Sequence, residues 1–392
     1  MKLFVNEVGD NYFTVVYDVE SKKNLAVAAW DIAVGQSVGN PNVRSVWETE
    51  ELFRDHSCMI IGDEEHLKTQ TKGIVTIAFP IVNTSIERDG VSHLLCQILG
   101  GQVDIEHIIR CRAVSVKFPK AFEDHFLKPR IGLSGMREYC GVYGKPLLGA
   151  IVKPKTGITP YTLCEMVKEL VDGGVNFIKE DEILASPDFN RLEDRVDKIN
   201  NIIGDKKVIY AFCINGDPHS LMEKAKFVAN NGGNAVHANV WCGLGAINSI
   251  RQLDIPLFFH FQKSGDQAFT NPRNPYSISW DALCDIVGLA GVDSIHAGMW
   301  GGYKNDNEQE LTTNLSILQG RNVIPALSCG MHPGLIQAIN SRFGVDYMAN
   351  VGGAIHGHPQ GTLAGVRAMR QAIDCNHGTE YYNAIEKWGK VD

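Results

Sequence analysis

The densest chemistry in this chain is the run Lys179-Glu180-Asp181-Glu182, which follows Gly173-Gly174-Val175-Asn176-Phe177-Ile178. A lysine beside carboxylates at the end of an apolar run is costly unless the charges find partners, because desolvating ions is expensive. A divalent cation is one such partner, since hard oxygen ligands hold Mg²⁺. The plainer reading is a surface salt-bridge cluster, which contributes little. The apolar run in front of it argues for burial instead. Strand geometry sends Lys179 and Asp181 to one side and Glu182 to the other, so three ligands converge only if the strand end curls. A second cationic element, Lys153-Pro154-Lys155, closes the apolar run from Leu147 to Val152. Its lysines are two apart and share a side. Like charges together with partial burial favour a neutral amine, which suits one of the pair to proton transfer. A phosphate-binding pair without acid–base work is the competing reading.

Two glycine elements follow, Ser328-Cys329-Gly330 and Gly352-Gly353. Glycine lets bare backbone amides approach an anion, although each element alone reads as a turn. A third stretch runs from His260 to Asp266. A fourth begins at His296 and passes through Gly298, Gly301 and Gly302 to Lys304 and Glu308. It has the makings of a lid that carries a lysine. The default for a single loop lysine is plain exposure.

These motifs need a scaffold that brings strand ends together. Eight apolar strand candidates can be read: Leu147–Val152, Asn176–Ile178, Val208–Ile214, Ala235–Val240, Pro256–Phe261, Ser294–Gly298, Val323–Ser328 and Tyr347–Val351. Near-continuous apolar runs are what a parallel sheet buried on both faces requires. Amphipathic helices fill the gaps. In one of them Thr159 and Pro160 supply the start, Leu163, Met166, Val167, Leu170 and Val171 one face, and Gly173 the end. Eight such units predict a (β/α)₈ TIM barrel over 131–392, with every charged motif at or just past the carboxyl end of a strand. A doubly wound sheet would carry a glycine fingerprint where Lys153-Pro154-Lys155 stands. The loops after strands seven and eight, the usual phosphate site of such barrels, coincide with the two glycine elements. Residues 1–130 read as a small α+β, ferredoxin-like domain.

Bulk properties narrow the function. The chain has 392 residues, 44% apolar content and a net charge of −8, with no basic block to bind nucleic acid. Ten scattered cysteines form no CxxC pair, which fits reduced thiols in the cytoplasm. The start MKLFVNEVGD has no signal-peptide pattern and no run of 18 apolar residues occurs, so no membrane association is expected.

Lys-Pro-Lys and Lys-x-Asp-Glu at two strand ends resemble the RuBisCO large-chain superfamily. The resemblance implies that Lys179 is carbamylated by CO2 and binds Mg²⁺ with Asp181 and Glu182. It implies that Lys153 transfers protons, Lys155 binds substrate, and His296, Ser328, Gly330, Gly352 and Gly353 hold substrate and phosphate. Ile295 to Glu308 is similar to the family's lid, and Lys304 falls on the lysine that holds the carboxylate of CO2. In the family a second subunit's N-terminal domain completes the site, so a homodimer or larger assembly is expected. The departures matter as much. The family's His-x-His-Arg reads His260-Phe261-Gln262-Lys263, leaving His260 and Lys263 as substrate contacts. Gln262 cannot carry a proton, and Lys263 loses the bidentate geometry of arginine. In the N-terminal domain an asparagine is replaced by Gly101, and a glutamate has at best Asp31 in its place. The pattern is that of a RuBisCO-like (form IV) protein and not a CO2-fixing carboxylase. It implies an enediolate formed from a phosphorylated keto sugar or keto sugar acid. Methionine-salvage enolases of the group use a lysine within the segment that here reads Leu99-Gly100-Gly101-Gln102, and they lack the lid lysine. Retained Lys304 therefore points to a 3-oxo-sugar-acid-phosphate decarboxylase. A 2,3-diketo-5-methylthiopentyl-1-phosphate enolase, a sugar-phosphate isomerase and a non-catalytic protein are the alternatives.

Overall fold

The computed structural model describes residues 2–40 and 45–391. By contact the chain forms two compact units. One takes the residues up to 127 together with 265–290, and the other takes 128–264 and the residues from 291 onward. The division expected near residue 130 is thus supplemented by a later segment that returns to the first unit.

The first unit is built on strands β1 (Phe4–Val5), β2 (Tyr12–Ser21), β3 (Met59–Ile61), β4 (Lys72–Pro80) and β5 (Ile108–Lys117). In β2 the odd positions Phe13, Val15, Tyr17, Val19 and Ser21 are buried and the even ones are not. That period of two is what a half-covered sheet demands. The rings of Phe13 and Phe79 stack at 5.0 Å, and Tyr17 donates to the Ile98 carbonyl at 2.7 Å.

The second unit holds strands β6 (Leu147–Ile151), β7 (Phe177–Lys179), β8 (Ile209–Cys213), β9 (Ala235–Asn239) and β10 (Phe258–Gln262). Strand β11 (Tyr276–Ile278) belongs to the first unit, where it extends the sheet in the order β1-β3-β4-β2-β5-β11. Strands β12 (Ser294–Gly298), β13 (Ile324–Leu327) and β14 (Met348–Val351) complete the second. Its eight strands are all parallel and close into a barrel, in the order β6-β7-β8-β9-β10-β12-β13-β14 and back to β6. All eight expected strands are present at their expected places.

The helix after β6 shows how the local signals resolve. It runs Pro160–Gly173, and the Thr159 hydroxyl accepts from Thr162 N at 3.2 Å. The helix ends at Gly173, as the sequence suggested. Gly174 takes the left-handed cap at φ 90°, and Gly173 packs so closely on Val366 that a side chain there would strike it at 2.5 Å.

Residues two apart on each strand share the barrel interior. The lowest layer is apolar: Leu147, Ile209, Ala235, Phe258, Ile324 and Met348 belong to one buried cluster. One layer up, the same strands present Gly149, Ala211, His237, His260, Ala326 and Asn350. Two residues further along stand Ile151, Cys213, Asn239, Gln262, Ser328 and Gly352. The barrel core thus changes from oily to polar toward the carboxyl ends of its strands, where barrel chemistry sits.

Candidate active site

Strand β7 ends at Lys179, and the chain then turns instead of continuing as a strand. Glu182 therefore comes back over the strand end, and its Oε2 lies 3.0 Å from Lys179 Nζ. Asp181 Oδ2 lies 2.5 Å from Lys153 Nζ at the end of β6. Lys179 is 0% exposed and Asp181 is buried. Two ammonium groups thus face two carboxylates at the barrel mouth. Burial alone would raise the Glu182 carboxyl. The Lys179 ammonium and hydrogen bonds outweigh burial and hold it well below the usual carboxylate range.

Glu180 faces away from this cluster. Arg195 clamps it with Nε at 2.7 Å and Nη2 at 2.9 Å, and both side chains are 0% exposed. Tyr210 and the Cys213 amide donate to the same carboxylate at 3.0 and 2.7 Å. Arg195 also donates to the carbonyls of Ala185 and Asn190, so it braces the turn that carries Asp181 and Glu182. Sequence reasoning missed this brace. Its signal was present, because Arg195 falls in the apolar stripe Leu192, Val196, Ile199 and Ile203 of the helix Leu192–Ile203.

The donor set fits a carbamate-plus-Mg²⁺ site. Among the described residues no group of three His, Cys, Asp or Glu side chains could hold a metal ion by itself. Asp181 and Glu182 supply oxygens from two residues, and a carbamate on Lys179 would supply a third. The four-charge cluster is neutral as it stands. A carbamate on Lys179 makes it doubly negative, which one divalent ion offsets.

Above the cluster opens a cavity of about 450 Å³. Its wall includes Lys153, Lys155, Lys179, Asp181, Glu182, His296, Ser328, Gly330, Gly352 and Gly353. Gly353 begins the short helix Gly353–His356, so its amide has no acceptor within that helix. A side chain on Gly353 would meet nothing within 4 Å, whereas one on Gly352 would press on Lys153 Cε at 3.2 Å. Gly330 is required for another reason: at φ 111° its side chain would collide with Tyr303 N at 2.5 Å. His296 Nε2 lies 2.9 Å from Ser328 Oγ. Burial pushes this imidazole well below its usual range, and the charges of Lys263 and Lys304 add to the effect.

Three expected site residues do not line the cavity. His260 is fully buried beneath it, with Nδ1 3.0 Å from Ser294 Oγ, and burial pushes its imidazole down to about 3. Lys263 is buried outside the wall. Lys304 Nζ lies 3.1 Å from Asp306 in its own loop. Lys153 and Lys155 both reach the wall, but Lys153 is ion-paired to a carboxylate, which the spacing of the two lysines could not reveal. In the first unit, Asp31 lies 2.7 Å from His107 Nε2, whose Nδ1 lies 2.9 Å from Ser21 Oγ. It therefore serves an internal hydrogen-bond chain. Residues lining the cavity that the sequence did not single out as ligands include Gln262, Cys329, Tyr303, Asn350 and Trp388.

Residues 132–390 match the model of the ribulose bisphosphate carboxylase large chain, catalytic domain. The ribulose bisphosphate carboxylase of Pyrococcus furiosus is 30% identical over 390 residues, covering 92% of this chain and 90% of that one. A 2,3-diketo-5-methylthiopentyl-1-phosphate enolase of Geobacillus thermodenitrificans is 29% identical, covering 96% and 98%. Among solved structures, the octameric Rubisco of Pyrococcus horikoshii superposes with a TM-score of 0.89 at 27% identity, over 99% of this chain and 96% of that one. The rubisco-like protein MtnW of Alicyclobacillus acidocaldarius superposes with 0.85 at 26%, over 97% and 100%. With the barrel, the strand-end cluster and the sequence match in agreement, this chain belongs to the ribulose bisphosphate carboxylase large-chain family.

Proposed function

We propose that this protein is a RuBisCO-like, Mg²⁺-dependent enzyme that forms an enediolate from a phosphorylated keto sugar or keto sugar acid and does not fix CO2. The observation that carries the reading is the paired cluster Lys153–Asp181 and Lys179–Glu182 at the floor of the cavity. Asp181, Glu182 and a carbamate on Lys179 would hold Mg²⁺, which would supply Lewis-acid stabilisation of charge developing on substrate oxygens. Lys153, part-exposed at the cavity floor, is the group placed to take or return the substrate's proton. Lys155 and the amide of Gly353 are the anchor for the phosphate. Gln262 orients by hydrogen bonding, with Nε2 2.7 Å from Ser264 Oγ and 3.5 Å from Glu182 Oε1, but an amide cannot move a proton. That supports a reaction stopping short of carboxylation.

Decarboxylation of a phosphorylated 3-oxo sugar acid is the form of this chemistry that uses Lys304 as a countercharge. Proton abstraction, as in an enolase or sugar-phosphate isomerase, is favoured by one specific observation: Lys304 is paired to Asp306 and lies outside the cavity wall.

The test begins with ¹³C-bicarbonate and Mg²⁺. A carbamate resonance is expected in the wild type and absent in Lys179→Met. A panel of phosphorylated keto sugars and keto acids is then assayed for solvent deuterium uptake and for CO2 release. An unmodified Lys179 together with neither readout on any substrate would overturn the proposal in favour of a non-catalytic protein.

A further inference from the structure

The loop from Met299 to Asn307 meets the cavity through Gly301, Gly302 and Tyr303. Of these only Tyr303 has a side chain, and its ring is 86% exposed at the cavity mouth. The loop is seated on Cys329. Lys304 N donates to the Cys329 carbonyl at 3.3 Å. A side chain on Gly302 would strike that same carbonyl at 2.4 Å. The Tyr303 hydroxyl lies beside the Cys329 thiol. That thiol in turn lies 3.8 Å from His296 Nε2 and 3.9 Å from Ser328 Oγ. Cys329 holds a left-handed φ of 79°, a conformation that strains any residue with a side chain and is retained where it has a use. Lys304, the loop's cation, is tied back: Asp306 pairs with it at 3.1 Å and also accepts from Met299 N at 2.9 Å.

From this arrangement we infer that Tyr303, and not Lys304, is the lid residue that touches substrate, giving a neutral hydroxyl and an aromatic face to an uncharged oxygen of the keto compound, with Cys329 as its positioning residue. The inference rests on the proposed enediolate chemistry only for the identity of the substrate. A phenol is protonated at neutral pH, so the Tyr303 hydroxyl stays a donor there. A phenol does not stabilise a carboxylate as an ammonium does, so the group beneath the lid is a hydroxyl or carbonyl.

The test compares three variants on whichever substrate the panel identifies. Tyr303→Phe is expected to lower kcat/KM about tenfold or more, the size of one hydrogen bond lost in a closed site. Lys304→Met is expected to change it less than threefold. Cys329→Gly is expected to lower kcat/KM while leaving the melting temperature equal or higher, since glycine relaxes the backbone there. A merely structural cysteine would lose stability first. The seating of the lid is read separately from turnover, by iodoacetamide alkylation of Cys329 followed by peptide mass spectrometry. Tyr303→Ala is expected to speed that alkylation several-fold, whether or not a substrate is found. An unchanged alkylation rate removes the Tyr303–Cys329 seat. A Lys304→Met variant that loses turnover while Tyr303→Phe keeps it returns the substrate contact to the lysine.

Discussion

Replacing Arg195 by methionine should destabilise the barrel far more than a surface charge change would. Glu180 and Arg195 are both 0% exposed and face each other through two hydrogen bonds of 2.7 and 2.9 Å. Methionine fills most of the volume but leaves a buried carboxylate whose remaining partners are Tyr210 and the Cys213 amide. Breaking one side of a buried pair costs about 3–5 kcal/mol. The carbonyls of Ala185 and Asn190 lose their donor as well, at about 1 kcal/mol each. A loss of about 5 kcal/mol, at about 2–4 °C per kcal/mol for a domain of this class, lowers the melting temperature by about 10–20 °C. Urea denaturation and calorimetry read both quantities. The double variant Glu180→Met/Arg195→Met removes both charges and should recover more than half of the loss, because an apolar pair of similar volume avoids the desolvation cost. Magnesium affinity in the presence of bicarbonate should fall with the single change, since the braced turn carries Asp181 and Glu182. A single variant within 1 kcal/mol of wild type, or a double variant worse than either single, would refute the claim that this pair braces the site.

Gly353→Val should raise KM for a phosphorylated substrate at least tenfold with an unchanged melting temperature, because a side chain there meets no protein atom within 4 Å and would occupy the space of the anion; equal KM values would move the phosphate elsewhere. Stability should fall as the pH drops from 7.5 to 5.5. Burial pushes His260 to about 3 and holds His237 and His296 well below their usual range, so below pH 6.5 the unfolded chain binds protons that the fold refuses. Each contributes a loss of about 1.4 kcal/mol over that interval, and a flat or rising denaturation midpoint would contradict it. The protein should sediment as a homodimer or larger at micromolar concentration, as related Rubisco chains are described as dimeric or octameric. A fully active monomer would dismiss this expectation.

Much of the architecture was readable from local pattern. Runs such as Leu147–Val152 and Val208–Ile214 have no polar alternation, and only a strand covered on both faces tolerates that. Eight of them separated by amphipathic helices leave few topologies other than a barrel, and the carboxyl ends of the strands mark where chemistry converges. Residue type at those ends singled out Lys153, Lys179, Asp181 and Glu182, which the fold brings together at the cavity. What local pattern could not supply was pairing across the barrel mouth. Lys153 and Lys155 share a side by spacing, yet the position of β7 beside β6 sets Lys153 against Asp181. His260 carries the residue type of a ligand, but it is fully buried and does not line the cavity. Lys304 sits on a loop of suitable glycine content, and the direction of its side chain depends on Asp306, two residues on, and on Cys329, twenty-five residues away. Sequence periodicity reports which face of an element is buried, because burial recurs with the geometry of the element itself. Which charge meets which, and which side chain reaches the cavity, depends on the distances between elements, and those exist only once the barrel has closed.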